Sequence, residues 1–315
     1  MTMDNLRNAG PPEMARYFQR HVSKSTVSDH GFEIDWIDDP TAEIDAPPTM
    51  SQRIPVVDAG VMIPEQGASA AEIHAAIKGS AAIIAEKGLI PVTVSGSHDV
   101  TLAMLEGIKT IVKEEFALFH FSAFSGLETP ISPLRLALQQ NHIKGMMQFG
   151  ARGVSKAERI LRNELNIRWM DGIVMYSKGL HTIKDFRNNV PVYICVDLSA
   201  LDPAFAPAVP HAISGGLSVR DICHVISTIR TERVIGCEIT GFNPVTEIYA
   251  GSGTPDTGMR RGMTSVSAGK LMLEMIGRAF AASVMTEEQI SMQIHEMRKS
   301  GKLPPDAAKQ PKGGF

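Results

Sequence analysis

The sequence predicts an α/β protein, a three-layer α/β/α sandwich built on a mainly parallel sheet. The first observation behind this is alternation. Short β-branched runs alternate with longer helical stretches, the mark of a parallel sheet covered on both faces. The second is periodicity within the longer stretches, where apolar residues recur at three and four, as in Ile73 with Ile77 and Ala81 with Ile84. The third is bulk. A chain of 315 residues with 43% hydrophobic and 21% charged content suits one large soluble α/β domain or two modest ones.

Taken in order, strands are expected at residues 54–57, 90–95, 116–121, 145–149, 191–196 and 234–239. Helices are expected at 70–87, 100–113, 156–163, 219–231 and 267–285, with Ser218 or Ser267 capping the helices that follow them. Right-handed crossovers then place the C-terminal end of every strand on one edge, where open α/β sheets bind ligands. The loops after Val94 and after Val196 both fall there. Residues 1–297 read as a single domain, and 298–315, with Pro-Pro, several lysines and Gly-Gly, as a mobile tail.

Charge and composition exclude several classes. A net charge of −3 gives no electrostatic reason to expect nucleic acid or an anionic membrane as partner. Residues 1–22 hold no apolar core of signal-peptide kind, and no apolar run is long enough to span a bilayer, so a cytoplasmic location is expected. Three cysteines are too few for a disulfide framework. Cys195 and Cys237 lie inside apparent buried strands, where a cysteine is a small hydrophobe and a mid-strand thiol is inert.

Three strand-end segments carry the residues that matter for chemistry: Ser95-Gly96-Ser97-His98-Asp99, His120-Phe121-Ser122-Ala123-Phe124-Ser125-Gly126, and Asp197-Leu198-Ser199-Ala200-Leu201-Asp202-Pro203. Side chains two apart on an extended segment point the same way, so Asp197 and Ser199 offer paired donors to one site. Together with Gly215-Gly216-Leu217-Ser218, the stretch Phe149–Gly153 and Asn243-Pro244, these segments resemble the ureohydrolase family of arginases and agmatinases across residues 10–280. The resemblance implies an arginase-like fold. It also implies a centre of two divalent ions, manganese or nickel, whose shared hydroxide attacks a guanidinium carbon.

The residues that such a centre needs are mostly replaced. The resemblance puts metal ligands at positions 98, 122, 124, 126, 197 and 199, where this chain has His98, Ser122, Phe124, Gly126, Asp197 and Ser199. Only His98 and Asp197 keep a ligating side chain of the expected type. Four carboxylates become one, which leaves two dications largely unneutralised. On the substrate side, Pro130 and Ile131 stand where a His-Gly pair is usual, and Gly241 replaces a glutamate that faces the guanidinium. Glu238 replaces an aspartate, so one nearby acid survives. The family's opening strand is also expected to be missing, the chain resuming near Gly10-Pro11 and a helix at 13–21. An uncovered sheet edge invites partner contacts.

The resemblance therefore implies a chain with no catalytic residues and no cofactor of its own, a non-catalytic subunit. Its expected partner is an active ureohydrolase paralogue carrying nickel or manganese, in a trimer- or hexamer-based hetero-oligomer. The Phe205–Leu217 loop and the methionine-rich helix around Met272 and Met275 would then shape that partner. A free-standing homo-oligomeric pseudoenzyme, binding a guanidino metabolite or acting as a regulator, is the alternative. New metal-free chemistry at Ser122, Ser199 and Glu238 is a third reading.

Blander roles compete for the same residues. His98 fits a hydrogen-bonded strand-end histidine, and His120 a structural one. Asp197 and Asp202 fit loop geometry, since Asp before Pro favours a turn and accepts backbone N–H bonds. His211 lies in a loop that faces a partner or ligand on the assembly reading. A serine triad from Ser122, His98 and Asp197 requires the histidine between the other two.

Overall fold

The computed structural model describes residues 33–37, 53–57, 59–178, 186–188, 190–231, 233–243, 246–247 and 262–283. The segments expected at 10–21 and 298–315, and Pro244, lie outside them.

The apolar runs stack side by side. Strands β3 (Val92–Val94), β4 (Ala117–Phe121), β5 (Gly145–Phe149), β6 (Arg168–Met170), β8 (Val192–Asp197) and β10 (Val234–Thr240) form one parallel sheet in the order β3-β10-β8-β4-β5-β6. Two further parallel pairs stand outside it: β1 (Glu33–Ile37) with β2 (Arg53–Val57), and β7 (Phe186–Asn188) with β9 (Ile229–Thr231).

Helices cover both faces, and strand alternation decides which side chain meets which layer. On one face Val192, Ile194 and Val196 of β8 pack with Phe119 and Phe121 of β4. They meet α6 (Val219–Thr228) and α7 (Met263–Ser283). On the other face Tyr193, Cys195 and Leu118 meet α1 (Ala70–Glu86), α2 (His98–Ile111) and α3 (Pro133–Gln139). This is the expected three-layer arrangement. Every residue of β8 and β10 is buried. Each such aliphatic side chain contributes about 1.5–3 kcal/mol.

Caps explain where the helices start. Ser69 with Glu72, Ser155 with Glu158 and Ser218 with Asp221 form reciprocal capping boxes on α1, α4 (Lys156–Glu164) and α6. Each hydrogen-bonded cap is worth about 1 kcal/mol. Of the two serines proposed as caps, Ser218 caps. Ser267 sits inside α7, where its Oγ donates to the Phe205 carbonyl at 2.8 Å. Ser97 caps α2 and draws the helix start back to His98, two residues before the expected position. The helix expected at 219–231 stops at Thr228 because the chain turns there into β9. The short helix α5 (Gly172–Lys178) and strands β1, β6, β7 and β9 carry no periodic signal long enough to read.

Register sets up the site. Phe121 pairs with Val196, Thr240 with Asp197, and Val94 with Ile239. The C-terminal ends of four strands therefore finish side by side. The loops that leave them begin at Ser95, Ser122, Leu198 and Gly241. Among the described residues no helix is long and apolar enough to cross a membrane.

Candidate functional site

Asp197 is the centre of this edge. It ends β8, is 7% exposed, and its carboxylate is encircled by donors. Oδ2 accepts from Ser122 Oγ at 2.7 Å, from Ser199 Oγ at 2.7 Å and from His98 Nε2 at 3.2 Å. Oδ1 accepts from the Ser199 N–H at 2.9 Å. The two hydroxyls lie 3.3 Å apart, and each also takes a backbone N–H: Ala123 N–H donates to Ser199 Oγ and Phe124 N–H to Ser122 Oγ. One carboxylate thus holds together the loops after β4 and β8 and the first turn of α2.

The electrostatics follow from that crowding. Burial alone lifts the Asp197 carboxyl, but hydrogen bonding and charge from His98 and two bonds from Ser199 outweigh it. The group stays far below the usual carboxylate range. Burial pulls His98 down, but the bond to Asp197 and its negative charge win, and His98 sits above its usual value. Each group favours the charged form of the other.

Of the expected positions, His98, Ser122, Asp197 and Ser199 converge. Phe124 joins through its backbone only. Its ring stands edge-on to His211, centroids 6.2 Å apart, and rests 3.4 Å from where a Cβ on Gly153 would lie. Gly126 turns away: its N–H donates to Glu128 Oε1, its φ is +69°, and it packs against Leu134. Pro130 and Ile131 lie on an exposed turn, Ile131 at 77% exposure. Gly241, at φ +81°, backs directly onto Asp197, where an added Cβ would fall 2.4 Å from Oδ1.

Glu238 corrects an expectation. Alternation along β10 sends it into the layer beneath α2, fully buried, where Ser95 Oγ and Tyr193 OH donate to it at 3.1 and 3.3 Å. Burial raises its carboxyl above the usual value against the lowering effect of the Thr101 hydrogen bond, the His98 charge and those two bonds. It is the nearby acid the sequence predicts, but a fully buried one. The stripe Met272, Met275 and Ile276 reads from the sequence as core or subunit interface, and the core reading holds. Met272, Met275 and Ile276 are 6% exposed or less and pack in this chain's own core, so they present no face to a partner.

The arrangement rules out a serine triad, because Asp197, not His98, lies between the other two. A second cluster, His98, His120 and Cys195, brings ligand atoms within 4.8 Å of one another. Its chemistry is poor for a metal. Gln148 is fixed by Arg162, whose Nε donates to Oε1 at 2.8 Å, so the amide NH2 faces His120 Nδ1 at 3.4 Å. Nδ1 then accepts, and the proton sits on the buried Nε2, leaving no lone pair there. Burial takes His120 down to about 3 and raises the Cys195 thiol well above its usual value. Cys237 is pushed up to about 12. Cys195 and Cys237 are therefore expected to ignore a thiol reagent at neutral pH and to react fully in denaturant. Fast labelling of either in the native protein would contradict these environments.

Two more residues organise the site: Asp202 plays the loop role its place before Pro203 predicts, while Arg152 gives no sign of its role in the sequence. Arg152 spreads its guanidinium over the carbonyls of Gly150, Ser199, Ala200, Leu201 and Ile213. Asp202 accepts the N–H groups of Ala204, Gly215 and Gly216 at 3.0, 2.8 and 3.1 Å. Together they pin the excursion from Leu198 to Leu217 against β8.

Comparison with known proteins gives consistent results. A family model described as the arginase family matches residues 37–277. Arginase 1, mitochondrial, of Oryza sativa subsp. indica is 26% identical over 207 residues, 62% of this chain; the match spans 57% of that protein's length. The arginase-like protein of T. brucei, in the crystal structure of a quadruple mutant, is 32% identical, covers 88% of this chain and 87% of its own, and superposes with a TM-score of 0.78. A triple mutant of the same protein, bound with Mn2+, matches equally at 32% and 0.78, covering 88% of both chains.

Proposed function

The chain belongs to the arginase family, and on that premise we propose that it is a metal-free, non-catalytic subunit that assembles with an active, metal-bearing paralogue. The observation that carries this is the saturation of Asp197 Oδ2 by two hydroxyls and an imidazole. A binuclear manganese or nickel centre needs several carboxylate and imidazole ligands with free lone pairs. This edge offers one carboxylate already accepting four hydrogen bonds and one imidazole already paired with it. The residues present do not fit the two-metal group, and no hydrolytic step runs through this chain.

The T. brucei comparison supports the same reading. Its quadruple mutant places aspartate, histidine, aspartate and aspartate at three alternate positions and a fourth, 77 residues after the first. Ser122, Phe124, Gly126 and Ser199 have that spacing here, with 77 residues between Ser122 and Ser199. The triple mutant bound with Mn2+ leaves the third position unchanged.

Assembly is the role that a retained framework without ligands suits best. Arg152 and Asp202 hold the loop's shape although Ser199 ends its chemistry. The partner would carry the nickel or manganese and hydrolyse a guanidine or biguanide C–N bond to urea or guanylurea, as in a cytoplasmic, metformin hydrolase-like hetero-oligomer. A second reading, a free-standing homo-oligomeric pseudoenzyme, draws on one fact: the donors around Asp197 all come from this chain, so the edge closes without another subunit.

The test is to purify the chain alone and with the paralogue, then measure metal per subunit, mass, and urea or guanylurea release. The expected result is a hetero-oligomer with metal only in the partner, and melting of the lone chain unchanged by chelator. Full activity from the paralogue alone, with no binding to this chain, ends the assembly reading. Stoichiometric manganese or nickel in this chain alone ends the metal-free one.

A further inference from the structure

The replaced ligand positions are not equivalent, and the difference is steric. At Ser122 and Ser199 the side chains already point at Asp197 Oδ2, both at 2.7 Å, so a longer acid at either position extends into the same small volume. At Phe124 the ring is half-buried, and an imidazole is smaller than the phenyl it would replace. Gly126 differs. Its φ of +69° strains any side chain there, aspartate less than most. The second obstacle is Leu134. A Cβ on Gly126 would lie 2.6 Å from Leu134 Cδ1, 3.2 Å from Cγ and 3.5 Å from Cβ. Leu134 is fully buried in the cluster that holds Leu127, Ile143 and Met146, so any shift of its isobutyl group repacks that layer.

Resting on the metal-free reading, we infer that the third ligand position has been closed by packing. Leu134 fills the space a side chain at 126 requires, so metal binding is recoverable through positions 122, 124 and 199 and not through 126 while Leu134 stands. The loss of the centre is then a repacking of the loop after β4 as well as an exchange of side chains.

The steric part is read on Gly126→Ala in the otherwise unmodified chain, which needs no metal and so stands or falls apart from the metal-free reading. The expected result is a fall in melting temperature of roughly 5 °C. The drop that Gly126→Ala causes should be smaller in a Leu134→Ala background, where only the strain of the dihedral remains; an equal drop in both backgrounds overturns the inference. An unchanged melting temperature in Gly126→Ala overturns the inference. The metal part compares Ser122→Asp/Phe124→His/Ser199→Asp with the same chain carrying Gly126→Asp as well, by manganese content after dialysis and by calorimetric titration. The triple variant should take up manganese, and the fourth substitution should add none until Leu134 is also replaced by alanine. A stable quadruple variant that binds more manganese than the triple with Leu134 intact overturns it.

Discussion

Replacing Asp197 by alanine destabilises the protein by about 3–5 kcal/mol, the cost of breaking a buried, hydrogen-bonded charge pair. The reason lies in how many groups depend on one oxygen pair. Without the carboxylate, the hydroxyls of Ser122 and Ser199 and the Ser199 N–H lose their acceptor, and His98 loses its counter-charge. Asparagine rescues the site only in part. With its carbonyl on the Ser199 N–H, the NH2 can donate to the Ser122 and Ser199 hydroxyls, which turn to accept, but the negative charge opposite His98 is lost. Ser122→Ala and Ser199→Ala should each cost less, about 1–3 kcal/mol, since Asp197 keeps other donors but the Phe124 or Ala123 N–H loses its acceptor. Chemical denaturation of the four variants measures this. An Asp197→Ala protein as stable as wild type would mean that the network holds nothing together.

The same pair has a pH signature with a definite sign. Asp197 is depressed in the folded state, so its contribution is present above its unfolded value of 3.8 and is lost as pH falls through the folded value. His98 is raised, so its contribution is fully present below its unfolded value of 6.5 and is lost as pH rises through the folded value. The stability difference between wild type and His98→Ala should therefore be greatest near about pH 5 and shrink on both sides.

Much of this was legible from spacing, and some of it was not. The strands of the central sheet other than β6 show in the sequence, β8 and β10 most clearly because they are buried along their whole length and read as unbroken apolar runs. The convergence of His98, Ser122, Asp197 and Ser199 follows from the rule that parallel strands end on one edge. Burial within the layers was less legible. On α4 the apolar residue Ile160 is 52% exposed, while Arg162 is fully buried, bonded to Asp171 at 2.9 Å and to Gln148 at 2.8 Å. A charged residue reads as a solvated face until its partners, distant in sequence, are known. Glu238 misled for the same reason: position along β10 was visible, but not which layer it entered. At Gly126 and Gly241 the sequence showed a missing acid. Only the fold shows that Leu134 and Asp197 stand in the space such an acid would need.

The loop from Leu198 to Leu217 keeps its shape through Arg152, and Arg152→Ala should release it. The guanidinium is the one donor group shared by carbonyls at both ends of the excursion: Ser199, Ala200 and Leu201 at its start, Ile213 near its end. Charge-assisted bonds of this kind contribute about 1.5–3 kcal/mol each when counted singly, and they share one side chain, so a total loss of about 3 kcal/mol is expected. Lysine cannot substitute, because a single ammonium cannot reach carbonyls fanned around a plane. Asp202 still ties Gly215 and Gly216 to the start of the loop, so release is partial. It should appear as proteolytic cleavage between Pro203 and Ser214 at protease levels that leave wild type intact. The variant also separates shape from chemistry. Ser122→Ala leaves the loop pinned and should leave assembly with a paralogue unchanged, whereas Arg152→Ala should weaken it. If Arg152→Ala binds the paralogue as wild type does, the loop is not part of the contact, and its pinned geometry serves this chain alone.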